Sequence, residues 1–304
     1  MRVVSVINYK GGVGKTTLTA NLGAELAYRG KRVLLLDLDA QASLTFSFYK
    51  PDYWQAHLAD SATIKSWFDS LASSQPTPLA DLILTPPEAN RSLKDGQLDI
   101  IPSHLGLINV DLELATELGG ATLTQSKRNY LRVHRRLADG LAGLDRESYD
   151  LVLIDCPPNF NVVTKTAIVA SEYLLIPAKP DYLSTLGIDY LQRSLNQLIS
   201  DYNEYAELDV PRTASISPRV LGVVFTMVAY YGRQPISTMR PFIAQTRRLG
   251  VPVFDSMVRS NKTLFGDAPQ YGVPVVLTRQ SPGTYGNIVQ ELESLASEFL
   301  GRLE

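Results

Sequence analysis

The sequence predicts an α/β fold in which a doubly wound, mostly parallel sheet is flanked by helices. Short apolar runs recur without polar–apolar alternation, which is typical of strands buried on both faces. Helix-period stretches follow several of these runs, as in strand–helix–strand units. A glycine-rich loop lies between the first apolar run and the first helical pattern. Together these three observations favour an open α/β sheet.

Six apolar runs are the candidate strands, and they set the order of the fold. They occupy residues 3–7, 33–36, 98–101, 151–154, 173–177 and 221–225. The last helical pattern, residues 287–303, predicts a packing helix because its apolar side chains share one stripe. That stripe consists of Ile288, Leu292, Leu295 and Phe299. We expect a single domain over residues 1–304, with a loop-rich insertion around residues 50–97.

The composition is that of an ordinary globular protein. Of the 304 residues, 45% are apolar and 20% are charged, which allows a substantial core. No apolar run reaches the length of about eighteen residues that a membrane-spanning helix needs. The single cysteine, Cys156, excludes an internal disulfide and is consistent with a reducing compartment. We therefore expect a cytoplasmic protein without a membrane partner.

The charge is distributed unevenly along the chain. The formal net charge is only −2, but residues 211–262, the basic segment, contain eight basic residues and one acidic residue, Asp255. The net charge of this segment is +7, which leaves −9 for the remainder. Such segregation predicts a polyanionic partner. The basic residues are Arg212, Arg219, Arg233, Arg240, Arg247, Arg248, Arg259 and Lys262.

The stretch INYKGGVGKT, residues 7–16, predicts a phosphate-binding loop. Glycines at 11, 12 and 14 let the backbone curl around phosphate oxygens at the start of a helix. Lys15 supplies a positive charge for the phosphates, and Thr16 offers a hydroxyl to Mg²⁺. Two features depart from the general pattern, because Tyr9 replaces the first glycine and Lys10 adds a second cation.

The stretch KGGVGKTT resembles the deviant Walker A motif of the ParA/MinD ATPases. The resemblance implies a P-loop NTPase fold, ATP and Mg²⁺ as cofactors, and a lysine, Lys10, that reaches the phosphates bound by a partner subunit. A homodimer that sandwiches ATP follows from that role. The residues expected to bind the nucleotide here are Lys10, Gly11, Gly12, Val13, Gly14, Lys15, Thr16 and Thr17.

Three further stretches resemble segments of the same family. In VLLLDLDAQ the resemblance implies that Asp39 orients the attacking water and that Asp37 lies in the second shell of the metal. YDLVLIDCPP resembles the Walker B strand, which implies that Asp155 holds a water of the Mg²⁺ ion. DAPQYGVPV resembles a segment near the adenine, so we expect Pro269 there. The expected catalytic residues are Lys10, Lys15 and Asp39, and the expected metal residues are Thr16, Asp37 and Asp155.

Charge helps to choose among the branches of this family. MinD-like members end in a basic amphipathic helix that binds anionic lipid, whereas the last helix here carries four glutamates and one arginine, Arg302. Partition ATPases bind DNA without sequence preference, and the basic segment offers cations for phosphates. The candidates for DNA contact are Arg240, Arg247, Arg248, Arg259 and Lys262. A second basic run, residues 127–136, is better explained as a solvated or dimer-side face.

The resemblance therefore predicts a nucleoid-associated ATPase of the ParA type. It would segregate or position a plasmid, a chromosome or a protein compartment such as the carboxysome. A cargo-bound activator protein would stimulate its hydrolysis. Two alternatives remain, an ATP-dependent small-molecule synthetase of the same fold and a MinD-like positioning ATPase that associates with membranes.

Overall fold

In the computed structural model, which describes residues 1–232, 234–278 and 284–304, a six-stranded parallel sheet forms the centre. The strand order is β3-β2-β4-β1-β5-β6. The strands are β1 Arg2–Val6, β2 Arg32–Asp37, β3 Gln97–Ile101, β4 Leu151–Asp155, β5 Tyr173–Ala178 and β6 Arg219–Phe225. Each coincides with one of the six predicted runs to within about two residues, so the predicted fold class is confirmed. Arg233, one member of the basic segment, lies outside the described residues.

The apolar runs form central strands because helices cover both faces of the sheet. All five residues of β4 are buried, and β1 pairs in parallel with β4 on one side and β5 on the other. A small antiparallel hairpin follows β6. It consists of β7 Tyr230–Tyr231 and β8 Gln234–Pro235.

The helices of the described residues form two layers. In chain order they are α1 Lys15–Tyr28, α2 Pro51–His57, α3 Ile64–Ser70, α4 Pro87–Asn90, α5 Leu107–Glu117, α6 Leu123–Ala142, α7 Val162–Ala170, α8 Tyr182–Leu208, α9 Arg240–Arg247, α10 Lys262–Tyr271 and α11 Thr284–Leu303. Helices α1, α10 and α11 contribute to one apolar core, and α3 and α5–α9 contribute to the other. The sheet supplies side chains to both cores.

The last helix packs as its pattern predicts. Ile288, Leu292, Leu295 and Phe299 are all buried in the core that α1 shares. The apolar stripe of α11 is therefore used inside the protein and is not available to a lipid surface. No helix within the described ranges is both long and apolar enough to cross a bilayer.

The insertion, residues 50–97, contains short helices joined by loops. The helices are α2, α3, α4 and a 3-10 helix, Leu79–Leu82, and the segment buries Trp54 and Trp67. Pro51 and Pro87 occupy the first turns of α2 and α4, where the missing N–H costs no helical hydrogen bond.

Candidate active site

The phosphate loop lies where β1 passes into α1, at the carboxyl edge of the sheet. Gly12 and Gly14 have φ angles of 66° and 81°, in the left-handed region that favours glycine. The loop therefore curls at the start of α1, where the first N–H groups of a helix lack partners within it. The hydroxyl of Thr226 donates to the carbonyl of Val13 at 2.6 Å and ties the loop to the end of β6.

Lys15 is the first residue of α1, and its side chain turns into the loop. It is only 6% exposed, and its ammonium donates to the carbonyls of Asn8 and Lys10 at 3.3 and 3.4 Å. Burial lowers the pKa of Lys15, and the negative charges of Asp155 and Asp39 oppose that shift. The ammonium and the two acids thus belong to one electrostatic cluster beside the glycines.

Asp155, the last residue of β4, has a buried carboxylate whose surroundings suit a bound cation. Both of its carboxylate oxygens are buried, and neither has a hydrogen-bond partner in the part of the chain that the structure describes. Burial raises its pKa well above the ordinary value, the charge of Asp37 adds to this, and Thr16 and Lys15 oppose it. A buried carboxylate without partners is costly unless a ligand satisfies it. The site therefore fits Mg²⁺ with its bound waters.

Asp37 sits beside Asp155 in the sheet but has a different environment. The two residues are paired in the register of β2 and β4. One oxygen of Asp37 accepts from the backbone N–H of Asp39, and the other accepts from the N–H and hydroxyl of Thr45, both at 2.8 Å. Burial raises the pKa of Asp37 to about 7. These bonds hold the loop after β2, and the place of Asp37 in the second shell of the metal stays a prediction.

Asp39 lies in the loop that follows β2, residues 38–44. One carboxylate oxygen accepts from the N–H of Gln41 at 3.0 Å, and its carbonyl accepts from the N–H of Ala42 at 2.8 Å. Ala42 has a φ of 51°, an unusual conformation for alanine that marks a tight turn. The chain has therefore left the strand at Asp39, as a water-orienting role would require, and the charge of Asp39 acts to raise the pKa of Lys15.

Lys10 is held on the outer side of the loop. Its ammonium lies 2.7 and 2.9 Å from the two carboxylate oxygens of Asp181 and 3.3 Å from the hydroxyl of Ser184. Asp181 also caps α8, because it accepts from the N–H of Ser184. The structure thus brings Lys15 into the phosphate loop and Lys10 to the start of α8.

A cavity with several apolar lining residues lies beside the phosphate loop. Its volume is about 210 Å³, and a smaller cavity of about 50 Å³ adjoins it through Thr17 and Phe265. Pro269 lines the smaller cavity, and its place near the base stays a prediction. Sequence reasoning missed most of the residues that line the larger cavity. Thr226 could have been found, because it is a polar residue directly after the apolar run of β6. The larger cavity is lined in part by Gly14, Thr17, Leu18, Thr226, Met227, Val258 and Phe265.

The predicted DNA-contacting residues separate into two groups. Arg240 and Arg247 lie seven residues apart on α9, on the same side, and Arg248 follows directly; all three are exposed. Arg247 pairs with Asp255 at 2.8 Å. Among the described residues, no carboxylate lies within ion-pair distance of Arg240, Arg248 or Lys262.

Arg259 is not part of this exposed group. Its guanidinium pairs with Glu291 of α11 at 2.7 Å, lies over the ring of Tyr230 and lines the larger cavity. A paired and partly covered cation is less accessible to a DNA phosphate than an exposed one, so the DNA contact of Arg259 stays a prediction and Arg259 is left out of the proposed DNA-binding surface. Lys262 lines the same cavity.

The second basic run, residues 127–136 of α6, is neutralised by neighbouring acids. Lys127 pairs with Glu204, and Arg136 with Glu117. Arg128, Arg132 and Arg135 also have carboxylate partners. This supports the interpretation of the run as an ordinary solvated face.

An exposed apolar face, which sequence reasoning missed, lies on the first three turns of α8, next to Lys10 of the phosphate loop. Its side chains are between 49% and 65% exposed. Clusters of such side chains mark interaction sites more often than solitary ones do. The apolar face consists of Tyr182, Leu183, Leu186 and Tyr190. A second exposed group, Leu105, Ile108 and Leu112, lies at the start of α5, and three strands separate the strands that precede the two helices.

Comparisons with known proteins agree with this geometry. The family model described as "AAA domain" matches residues 1–208. Chromosome partitioning protein ParA of Caulobacter vibrioides is 30% identical over 280 residues, which cover 91% of this chain and 87% of the relative.

Two solved structures with ATP or an ATP analogue have the same fold. An ATP complex of a McdA variant from Cyanothece has a TM-score of 0.71 at 19% identity and covers 99% of this chain and 96% of its own. Cobyrinic acid a,c-diamide synthase from Mycobacterium smegmatis, with an ATP analogue and magnesium, has a TM-score of 0.68 at 23% identity and covers 100% and 96%.

The family match covers more than half of the chain, and the ParA relative aligns over nearly all of it. The curled glycine loop, the buried Lys15 and the unsatisfied Asp155 provide the binding groups that a nucleotide with Mg²⁺ requires. The chain therefore belongs to the AAA domain family and is an ATPase of the ParA type, with ATP and Mg²⁺ as its cofactors.

Proposed function

We propose that this ATPase forms a homodimer around ATP, binds DNA without sequence preference in that state, and segregates or positions a cargo through partner-stimulated hydrolysis. One observation carries the proposal. The phosphate loop opens beside the apolar face, and Lys10, the extra cation of the loop, is bound at the start of α8, which forms part of that face.

A second copy of the chain is the occupant that best explains the apolar face. Burial of apolar surface contributes about 25 cal/mol per Å², so burial of the four large side chains from each copy would favour association. Because the face borders the phosphate loop, the phosphate loop of the second copy would lie at the same interface. ATP can favour such a dimer only by binding it more tightly than the monomer, and Lys10 provides the differential contact.

Within each site the side chains have distinct proposed tasks. Lys15 and the N–H groups of residues 11–17 hold the phosphates, while Thr16 and the water-mediated contact of Asp155 hold Mg²⁺. The bound Mg²⁺ would offset the negative charge that the phosphates bring. Asp39 orients the attacking water, and the cavity that ends at Pro269 receives the base.

The exposed cations on and near α9 are the proposed DNA contacts. Arg240, Arg247, Arg248 and Lys262 offer guanidinium and ammonium groups to phosphates, with no base-reading motif among them. Two copies in one dimer would present two such surfaces, which increases the affinity for a long duplex multivalently. ATP-dependent dimerisation and DNA binding would thus be coupled.

The cargo and the activator are proposed only as classes of partner. The relative from Caulobacter vibrioides is named a chromosome partitioning protein, which supports a role in partition. A plasmid, a chromosome or a protein compartment such as the carboxysome would satisfy the same ATPase cycle, with a cargo-bound protein as activator. The chain would then act at the nucleoid, in the cytoplasm.

The decisive experiment measures binding to a random-sequence DNA duplex by fluorescence anisotropy with ATP, a non-hydrolysable analogue, ADP or no nucleotide. We expect binding only with ATP or the analogue, and a steep loss of affinity as salt rises. Absence of DNA binding in every nucleotide state would contradict the proposal and favour a synthetase. Anionic vesicles in the same assay test the MinD-like alternative, for which ATP-dependent binding to the vesicles would be the signature.

A further inference from the structure

We infer that Ser103 is a positioning residue for ATP hydrolysis and that Trp54 of the insertion assists it. Both would act by fixing the loop that carries Asp39. This inference rests on the proposed water-orienting role of Asp39. It assigns a task to residues that belong neither to the phosphate loop nor to the two acidic motifs.

Ser103 follows β3 and is completely buried. Its hydroxyl donates to the carbonyl of Asp39 at 2.7 Å, and its backbone N–H donates to the hydroxyl of Thr45 at 2.8 Å. The Thr45 hydroxyl in turn donates to Asp37. A single residue thus holds both ends of the loop between Asp37 and Thr45.

Trp54 connects the insertion to this arrangement. Its indole N–H donates to the carbonyl of Ser103 at 3.1 Å, and its ring packs against His104 and Phe46. The indole is only 3% exposed, so its position is set by packing. Helix α2 therefore reaches the loop of Asp39 through one hydrogen bond to Ser103.

The hydrogen bond from Ser103 matters because it reaches the part of the loop that packing restrains least. Leu38, Ala42 and Leu44 are buried, whereas Asp39 and Ala40 are only half-buried and Gln41 is exposed. Within the described residues, two hydrogen bonds from outside the loop reach Asp39 itself: Asp37 accepts from its backbone N–H, and the Ser103 hydroxyl donates to its carbonyl. A water-orienting carboxylate must be held within a fraction of an ångström, and small misplacements reduce rates strongly.

The primary test is Ser103→Ala, which removes the hydroxyl and keeps both backbone contacts of residue 103. In single-turnover assays with radiolabelled ATP, we expect the hydrolysis rate to fall about tenfold. The apparent affinities for ATP and Mg²⁺ and the thermal unfolding midpoint should stay within about twofold and about 2 °C of wild type. A purely structural role would lower the midpoint and the affinity along with the rate.

Two further variants and a control sharpen this test. Ser103→Thr keeps the hydroxyl and should recover most of the rate. Trp54→Phe keeps the aromatic packing but removes the N–H, and it should slow hydrolysis about threefold, with little additional loss when combined with Ser103→Ala. The control is Ser171→Ala, a buried serine whose hydroxyl donates to the carbonyl of Ala167 instead.

The outcomes separate this inference from the role of Asp39. Asp39→Ala is measured in the same assay. If Asp39→Ala abolishes hydrolysis while Ser103→Ala and Trp54→Phe hydrolyse ATP like wild type, the positioning role is refuted and that of Asp39 stands. If Asp39→Ala hydrolyses ATP normally, the role of Asp39 fails, and the inference fails with it. If Ser103→Ala does not fold, the rates of Ser103→Thr and Trp54→Phe decide.

Discussion

The Lys10 ammonium and the Asp181 carboxylate form an ion pair across 2.7 Å that joins the phosphate loop to the first turn of α8. Burial acts to raise the pKa of Asp181, but hydrogen bonds from Lys10 and Ser184 outweigh it and lower the pKa. In the single chain, the extra lysine is therefore already occupied. To act on a partner's nucleotide, as we propose, Lys10 must leave Asp181.

The first prediction concerns the release of Lys10 from Asp181. Asp181→Asn removes the charge but keeps a good helix cap, so Lys10 is released while α8 stays intact. Partly exposed ion pairs contribute up to about 1 kcal/mol, and the variant no longer has to break this pair. We therefore expect it to dimerise at an ATP-analogue concentration about two- to fivefold lower than wild type. Sedimentation velocity measures this. The matched control is Asp189→Asn, which breaks the pair with Arg193 on the same helix.

Lys10→Ala provides the complementary result. It should bind ATP as a monomer and fail to form the dimer. If Asp181→Asn instead weakens dimerisation, Asp181 has a positive role in the interface and does not merely restrain Lys10. Normal dimerisation of Lys10→Ala would remove the proposed trans contact.

The second prediction concerns Asp39. Asp39→Ala should slow ATP hydrolysis by about 100-fold or more, because the attacking water loses its orienting group, while the ATP-bound dimer and its DNA binding persist. Phosphate release and DNA anisotropy measure the two properties side by side. Loss of nucleotide binding would show that Asp39 holds the loop or the ligand rather than the water. Asp95→Ala, an exposed acid in the insertion, is the control.

The third prediction concerns the exposed cations of α9. The double variant Arg240→Glu with Arg248→Glu should lower DNA affinity at least tenfold and reduce the slope of log affinity against log salt by about 2, since two phosphate contacts are lost. Dimerisation with ATP should not change. Arg91→Glu with Lys94→Glu makes the same change of charge in the insertion. If both double variants lose affinity equally, the effect is one of net charge and the assignment to α9 fails.

The fourth prediction concerns the apolar face. Leu183→Ser with Leu186→Ser removes two large apolar side chains from each copy in the proposed interface. Each buried leucine contributes about 1.5–3 kcal/mol, so the dimer dissociation constant with ATP should rise at least tenfold, while ATP binding by the monomer is retained. Leu208→Ser, at the far end of α8 and 64% exposed, is the control. An unchanged dimer would place the interface elsewhere.

The fifth prediction concerns the pH dependence of stability. Nδ1–H of His134 donates to the carbonyl of Tyr130, and Nε2 is buried without a partner among the described residues. Burial lowers the pKa of His134 to about 4, from an ordinary value near 6.5. The folded state therefore resists protonation, while the unfolded chain accepts a proton below about pH 6.5. The contribution of neutral His134 to the free energy of unfolding is complete above pH 6.5 and is lost as the pH falls towards 4.

The measurement is urea unfolding at pH 7 and pH 5. Between these values the free energy of unfolding should fall by about 2 kcal/mol more in wild type than in His134→Leu, because the variant has no group to protonate at this position. The shared titration of the buried acids cancels in this comparison. Equal pH dependence in the two proteins would contradict the assignment.

Much of the fold follows from local sequence. The six apolar runs form strands, and a continuous apolar run by itself indicates a strand that is buried on both faces. The apolar stripe of α11 follows from the helical spacing of its residues. The curled phosphate loop follows from its glycines and from its position between β1 and α1. In the insertion the local signals do not locate the short helices, because a proline is compatible with both a loop and the first turn of a helix.

Only the tertiary structure decided how the charged and polar groups are used. Lys10 and Asp181 are 171 positions apart, and Ser103 and Asp39 are 64 apart, so no local pattern could pair them. The same holds for Arg259, which pairs with Glu291, and for Asp155, whose oxygens have no hydrogen-bond partner among the described residues. Periodicity and glycine conformation depend on neighbouring residues, whereas the partner of a charge depends on which distant segments the packed sheet brings into contact.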